Sequence, residues 1–179
     1  MPNKFQTAIN FILALIIFIS VQGFAQYDLN KNYVGPTLGL SFLGSTAQVG
    51  INYEYSLDLQ NIGAAGIGGI FRYWGYSDKY LNGQWNYSDI LLGLQGNYHF
   101  SIGDDKYDPW VGLVLAYDAG SVSWSGSNDK YTVPSNGGLF LGAQAGLRYW
   151  ISPTLAIAGR FGFGNLSYGA LEVGVDWKL

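Results

Sequence analysis

From Leu171 to the end of the chain every second residue is apolar: Leu171, Val173, Val175, Trp177 and Leu179. Glu172, Gly174, Asp176 and Lys178 lie between them. A period of two marks a strand with unlike faces. The same alternation recurs upstream, broken by clusters of Gly, Asn, Asp, Ser and Pro. It predicts eight strands: Asn32–Phe42, Thr46–Leu57, Ile62–Trp74, Tyr87–Phe100, Trp110–Ser121, Gly137–Trp150, Thr154–Gly164 and Tyr168–Leu179. Most exceed the roughly 9–11 residues that a tilted strand needs to cross a bilayer.

Sorting each strand by parity separates two surfaces. In the fourth, Leu92, Leu94, Tyr98 and Phe100 oppose Gln95, Asn97 and His99. In the second, Val49, Ile51, Tyr53, Tyr55 and Leu57 oppose Gln48, Asn52 and Glu54. In the sixth, Leu139, Leu141, Leu147 and Tyr149 oppose Gln144 and Arg148. In the seventh, Leu155, Ile157, Phe161 and Phe163 oppose Arg160. The apolar faces carry no charge; their opposites hold Gly, Gln, Asn and a few ions. A soluble ligand-binding barrel would turn its apolar face inward, and a membrane barrel turns it outward. Tyr53, Tyr55, Tyr73, Tyr98, Phe100, Tyr149 and Trp177 fall near strand ends on the apolar face, where interfacial aromatic girdles belong. The expected fold is therefore all-β: an eight-stranded antiparallel up-and-down transmembrane β-barrel, residues 26–179, with both termini periplasmic. Soluble sandwiches or barrels are the competing fold.

Composition agrees with this reading. Charged residues make up 12 % of the chain, about half the usual globular share, while aromatics reach 17 % and Gly counts 26. No apolar run after residue 25 approaches the length of a spanning helix. Residues 1–25 read as a signal peptide: Lys4, then the apolar run Phe11–Val21, then the small residues Gly23 and Ala25. A net charge of −3 argues against nucleic acid as a partner. With no Cys and a single His, no cofactor and no transition-metal site are expected.

Four acids and four bases are assigned inward: Glu54, Asp118, Glu172 and Asp176 with Arg72, Arg148, Arg160 and Lys178. With a hairpin tip near Leu166, Arg160 faces Glu172, an opposite-charge cross-strand pair. An eight-stranded barrel is just wide enough for side chains to fill, so these ions are expected to close the lumen as a polar network. A narrow solute pathway along the same residues is the alternative.

Connections expected on the outer side are Leu43–Ser45, Gly75–Asn86, Val122–Asn136 and Asn165–Ser167. Those expected inside are Asp58–Asn61, Ser101–Pro109 and Ile151–Pro153. The segments 75–86 and 122–136 carry Tyr76, Tyr80, Trp85, Trp124 and Tyr131 among small polar residues, which suits a surface that meets an extracellular ligand. Asp104, Asp105 and Asp108 could grip Ca²⁺, but the stretch Gly103-Asp104-Asp105-Lys106 reads more simply as a solvated turn. Gly66, Gly68 and Gly69 form no phosphate loop, since no helix follows; they fit small positions that let the wall curve and pack.

The exported leader, the alternating strands and the last residues together resemble small outer-membrane β-barrel proteins of the OmpA/OmpX-like, opacity-protein-like porin family. The final strand, with Glu172, Gly174, Trp177 and Leu179, is similar to the C-terminal sorting strand of that class, although Leu179 stands where an aromatic is usual. The resemblance implies a monomer in outer-membrane lipid, inserted by the barrel insertion machinery, with a structural or surface-interaction role and no enzymatic activity. His99 and Ser101 resemble the His-x-Ser pair of outer-membrane lipid A deacylases. The third member of that triad is missing, because no Glu lies between Glu54 and Glu172.

Overall fold

The computed structural model describes residues 27–60, 63–127 and 131–179. The expected signal peptide lies outside the described residues. Eight strands follow in order: β1 Asn32–Ser41, β2 Thr46–Asp58, β3 Ala64–Tyr80, β4 Gly83–His99, β5 Tyr107–Gly126, β6 Gly138–Ser152, β7 Leu155–Gly164 and β8 Gly169–Lys178, with a 3₁₀ turn at Leu43–Ser45 between the first two. Each pairs antiparallel with its chain neighbour, and β8 closes onto β1, giving a closed barrel. Closure pairs every backbone edge at membrane depth, which a lipid environment demands. The seam runs from Tyr33 opposite Lys178 to Ser41 opposite Ala170, and it skips Gly35 and Pro36. Pro36 has no N–H to give the ladder.

The two faces divide by parity as the alternation requires. Leu38, Val49, Ile51, Ile67, Leu92, Leu94, Leu113, Leu115, Leu139, Leu141, Ile157, Phe161, Leu171 and Val173 all point out and are exposed, while Gln48, Asn52, Glu54, Gln95, Arg148 and Arg160 are buried inside. So much outward apolar surface is a lipid face, since soluble monomers rarely expose patches beyond a few hundred Å². Along β4 and the residue that follows it, the outward apolar run extends from Ile90 to Phe100. At about 3.4 Å per residue and a tilt of about 40° it spans about 26 Å, close to the apolar band of such barrels. Beyond Ile90 and Tyr73 the outward positions become polar. Ser77, Gln84, Asn86 and Ser125 join in a side-chain ladder there, with Ser77 donating to Asn86 at 2.7 Å and Asn86 to Ser125 at 2.9 Å.

The connections depart from expectation at one end. Residues 75–86 are not a loop: β3 and β4 stay paired up to Tyr80 opposite Gly83, joined by Leu81 and Asn82 alone. Likewise 122–126 continue β5, paired to β4 up to Gly83 opposite Gly126. The result is a three-stranded flap that rises past the barrel by about 20 Å along the strands. Cross-strand rings hold it: Tyr76 stacks on Tyr87 at 4.6 Å, and Trp85 meets Trp124 at 4.9 Å. We call the flap end the far rim, and the end holding Tyr33 and Trp177 the near rim. At the far rim the last hairpin turns through Leu166 and Ser167, both with positive φ, as a two-residue turn of right-handed twist prefers.

Candidate functional site

Among the described residues the extended interior is the lumen, and side chains from all eight strands fill it in layers. The layer at the near rim centres on Arg148. Its Nε donates to Asp176 at 2.6 Å, its Nη1 to Asp108 at 3.0 Å and its Nη2 to Glu54 at 3.0 Å. The planar guanidinium can serve three carboxylates from three strands because its donors fan outward in a fixed plane. Arg160 grips Asp176 at 2.7 and 3.0 Å. Asn97 donates to Glu54. His99 Nδ1 lies 2.7 Å from Asp108, while Nε2 faces Glu54 at 3.3 Å without hydrogen-bond geometry.

Tyr27, ahead of β1, caps this layer. Its ring stacks on His99 at 3.7 Å and on Tyr33 at 4.8 Å, and its hydroxyl donates to Glu54 at 3.0 Å. Arg148 lies over the rings of Tyr27 and Tyr33 at 5.5 and 5.1 Å, within cation–π range. Burial, reinforced by Glu54, drives the Tyr27 phenol far above its ordinary range, so it remains a donor. The segment is tied to β2 by Asn30 N–H to Ser56 O at 3.1 Å and Ser56 N–H to Lys31 O at 2.9 Å. Room for the cap comes from Gly66 on the opposite wall, where a Cβ would stand 2.7 Å from the Tyr27 hydroxyl.

The middle layer is polar and interlocked. Arg72 binds Glu172 through two donors, with Nη2 to Oε2 at 2.8 Å, and also donates to Asn52 at 2.8 Å. Gln48 donates to Glu172 at 2.6 Å and accepts from Tyr168 at 2.9 Å. Gln144 reaches Gln95 at 2.8 Å and Asn97 at 2.9 Å, linking the middle to the near-rim layer. Toward the far rim the lumen turns apolar: Ile70, Trp74, Leu91, Val114, Ala116 and Phe140 form one buried cluster, with Leu43, Tyr76 and Tyr168 packed on it. At the boundary of these layers lies a cavity of about 30 Å³ touching Arg72, Leu91, Phe140 and Glu172, room for about one or two waters.

The predicted residues are distributed as follows. Glu54, Arg148, Arg160 and Asp176 meet in one cluster, and Arg72 meets Glu172 in another. Lys178 stands apart at the near rim, bound to Asp28 at 2.7 Å and 5.2 Å from the Trp150 ring. Arg160 does lie opposite Glu172 in register, but the ion pair expected between them is replaced. Arg160 turns to Asp176, while Glu172 reaches across to Arg72. Asp118 joins no ion pair among the described residues; it is buried near the far rim. Asp108, expected within the inner connection Ser101–Pro109, lies on β5, which begins at Tyr107. It is an inward residue of β5, almost wholly buried against Arg148 and His99. His99, on the polar face with Gln95 and Asn97, is buried among these carboxylates.

Sequence reasoning also missed the inward Trp74, Trp110 and Trp150, each nearly inaccessible. Parity held the signal, since Trp74 shares a face with Arg72 and Trp150 with Arg148. Among the membrane-facing aromatics, Tyr55, Tyr98, Phe100, Tyr149 and Trp177 ring the near rim, with Tyr53 one pair further in. Tyr107, unpredicted, packs on Tyr149 at 5.2 Å. Tyr73 belongs with Tyr117 toward the far rim, and both are exposed.

A closed eight-stranded antiparallel barrel with a lipid-facing exterior and a packed interior is the fold of small transmembrane β-barrels. Solved structures bear this out. The outer membrane protein OprG from Pseudomonas aeruginosa superposes with a TM-score of 0.62 at 10 % identity, over 87 % of this chain and 99 % of that one. The N-terminal β-barrel domain of Pseudomonas aeruginosa OprF gives 0.57 at 16 %, over 84 % and 98 %. Ail, the attachment invasion locus protein of Yersinia pestis, in complex with the heparin analogue sucrose octasulfate, gives 0.54 at 13 %, over 83 % and 97 %. No protein-family model and no curated protein sequence matches the chain. The chain thus has the fold of small outer-membrane barrels.

Proposed function

We propose that this protein is a monomeric outer-membrane barrel with a sealed lumen, which acts as a structural or surface-interaction element through its far rim. In this reading the near rim faces the periplasm and the flap stands outside the cell. Outer-membrane lipid covers the belt, and the barrel insertion machinery reads the final strand during assembly.

The observation that carries the sealed-lumen reading is the filling itself. The Arg148 and Arg72 clusters span the barrel width, Tyr27 caps one end, and the apolar layer around Trp74 and Phe140 blocks the other. Purified protein, shown to be folded by a heat-dependent gel shift, is expected to give no steady conductance in planar lipid bilayers. A large, stable single-channel step overturns the reading in favour of a narrow solute channel.

The surface role draws support from the flap. Leu81 at its tip is 75 % exposed and sits at φ 47°. A bulky residue held in the left-handed region costs of order 1 kcal/mol or more, and such strain clusters at functional positions. The ligand differs in kind from the sulfated analogue bound to Ail. Among the described residues, the far-rim segments carry Asp78, Asp89 and Asp118 against only Lys79, which repels a polyanion. Cells displaying the protein with Tyr80 and Leu81 both changed to Ser should lose adhesion while the barrel stays folded. Unchanged adhesion removes the flap from the proposal.

A further inference from the structure

We propose that the far mouth of the lumen binds a hard divalent cation, of the Ca²⁺ type, between Asp89 and Asp118. Both are inward residues of adjacent strands. Asp89 lies opposite Gly120, and Asp118 opposite Leu91. They are therefore diagonal neighbours on one face, with backbones about 7–8 Å apart. Two carboxylates at that spacing can lean onto a shared ion at oxygen-to-calcium distances of about 2.4 Å.

Asp89 and Asp118 differ from every other buried carboxylate among the described residues. Glu54, Asp108, Glu172 and Asp176 each sit on an arginine. Asp89 and Asp118 have none. Asp89 is fully buried, and its Oδ2 has no hydrogen-bond partner. Asp118 is 4 % exposed, and its Oδ1 likewise has none. Asp89 keeps one neutral donor, the Asn136 side-chain amide at 2.6 Å on Oδ1. Arg72, one layer down, is committed to Glu172 and Asn52, and Lys79 is exposed on the outward parity of β3. Two buried carboxylates with free oxygens and no base among the described residues are costly unless a cation offsets them.

The chemistry of the donors selects the ion. They are oxygens only, with no imidazole or thiolate, which suits a hard cation and not a transition metal. Ca²⁺ tolerates irregular shells and completes them with water and carbonyl oxygens. Two residues just ahead of β6 supply such a setting: Asn136 touches Asp89, and Gly137, at φ 83°, lies where a Cβ would clash with the Asp118 carbonyl. Nothing in this proposal depends on whether the lumen conducts.

Terbium luminescence tests it on the folded protein in a maltoside detergent, which carries no phosphate to bind the ion. Trp74 packs in the adjoining layer with Leu91 and Ala116 and would sensitise Tb³⁺ emission. The expected result is saturable emission in the wild type, displaced by Ca²⁺. Asp89→Asn and Asp118→Asn should each weaken binding at least tenfold, while Asp104→Asn at the near rim leaves it unchanged. Should a variant fail to fold, Trp74→Phe is the second probe: emission falls while the Ca²⁺ displacement midpoint holds. Absence of saturable emission from folded wild type overturns the proposal, as does emission lost in Asp104→Asn and kept in Asp89→Asn and Asp118→Asn.

Discussion

Replacing Arg148 by Met removes one guanidinium and strands three carboxylates at once. Asp176 keeps Arg160 at 2.7 Å, but Glu54 is left with Asn97, Tyr27 and His99, and Asp108 with His99 alone. Met is close in length, so the lost volume is small and the effect is electrostatic. Breaking a buried ion pair from one side costs about 3–5 kcal/mol, because the surviving charge stays buried without its partner. Here the remaining donors soften the loss, and the lower half of that range is expected. With a urea slope of about 2 kcal/mol/M, the unfolding midpoint in detergent should fall by about 1.5–2 M. Arg148→Lys keeps the charge but loses the three-way fork, and its midpoint should fall between those of the two other proteins. The assay is urea unfolding followed by Trp fluorescence, with the heat-dependent gel shift as a check on the starting state. A fall of less than about 0.5 M at the same slope in Arg148→Met would falsify the view that this cluster supports the barrel.

Three further expectations follow from the geometry. Gly66→Leu should drive Tyr27 off its seat, since a Cβ there already crowds the Tyr27 hydroxyl and Glu54; limited proteolysis near residue 30 reports it, and unchanged protection counts against the cap. Tyr27→Ala should cost about 3–5 kcal/mol, as for other buried aromatics, and should admit a water-soluble thiol probe to a Cys placed at position 99, which stays shielded if Tyr27 remains. Leu113→Arg, mid-belt and 66 % exposed, should destabilise by about 2–4 kcal/mol in a bilayer. Ser123→Arg on the flap should cost almost nothing, and equal penalties at the two sites would misplace the membrane boundary.

Strand number, strand faces and the closing order were legible because alternation is a local, periodic property. A one-residue slip would expose every Glu54 or Arg148 to lipid, so the pattern admits a single assignment. The last hairpin was legible for the same reason: Leu166 and Ser167 sit in its turn and Arg160 faces Glu172. The flap was not legible, because Leu81-Asn82 lacks the Gly that marks most two-residue turns. The residues at 75–86 read as a loop, whereas 75–80 and 83–86 are strand above the lipid. Asp108 was hidden by its neighbours Asp104 and Asp105, which do form a turn.

By itself, then, the order of residues decided which side chains enter the lumen. It could not decide whom they meet there. Arg72 finds Glu172 across a hundred residues of chain, and Arg148 gathers Glu54, Asp108 and Asp176 from three strands. Those partners are set by strand tilt and stagger, which place distant positions at one height in the barrel. Only the closed structure brings four carboxylates to arginines and leaves Asp89 and Asp118 without one.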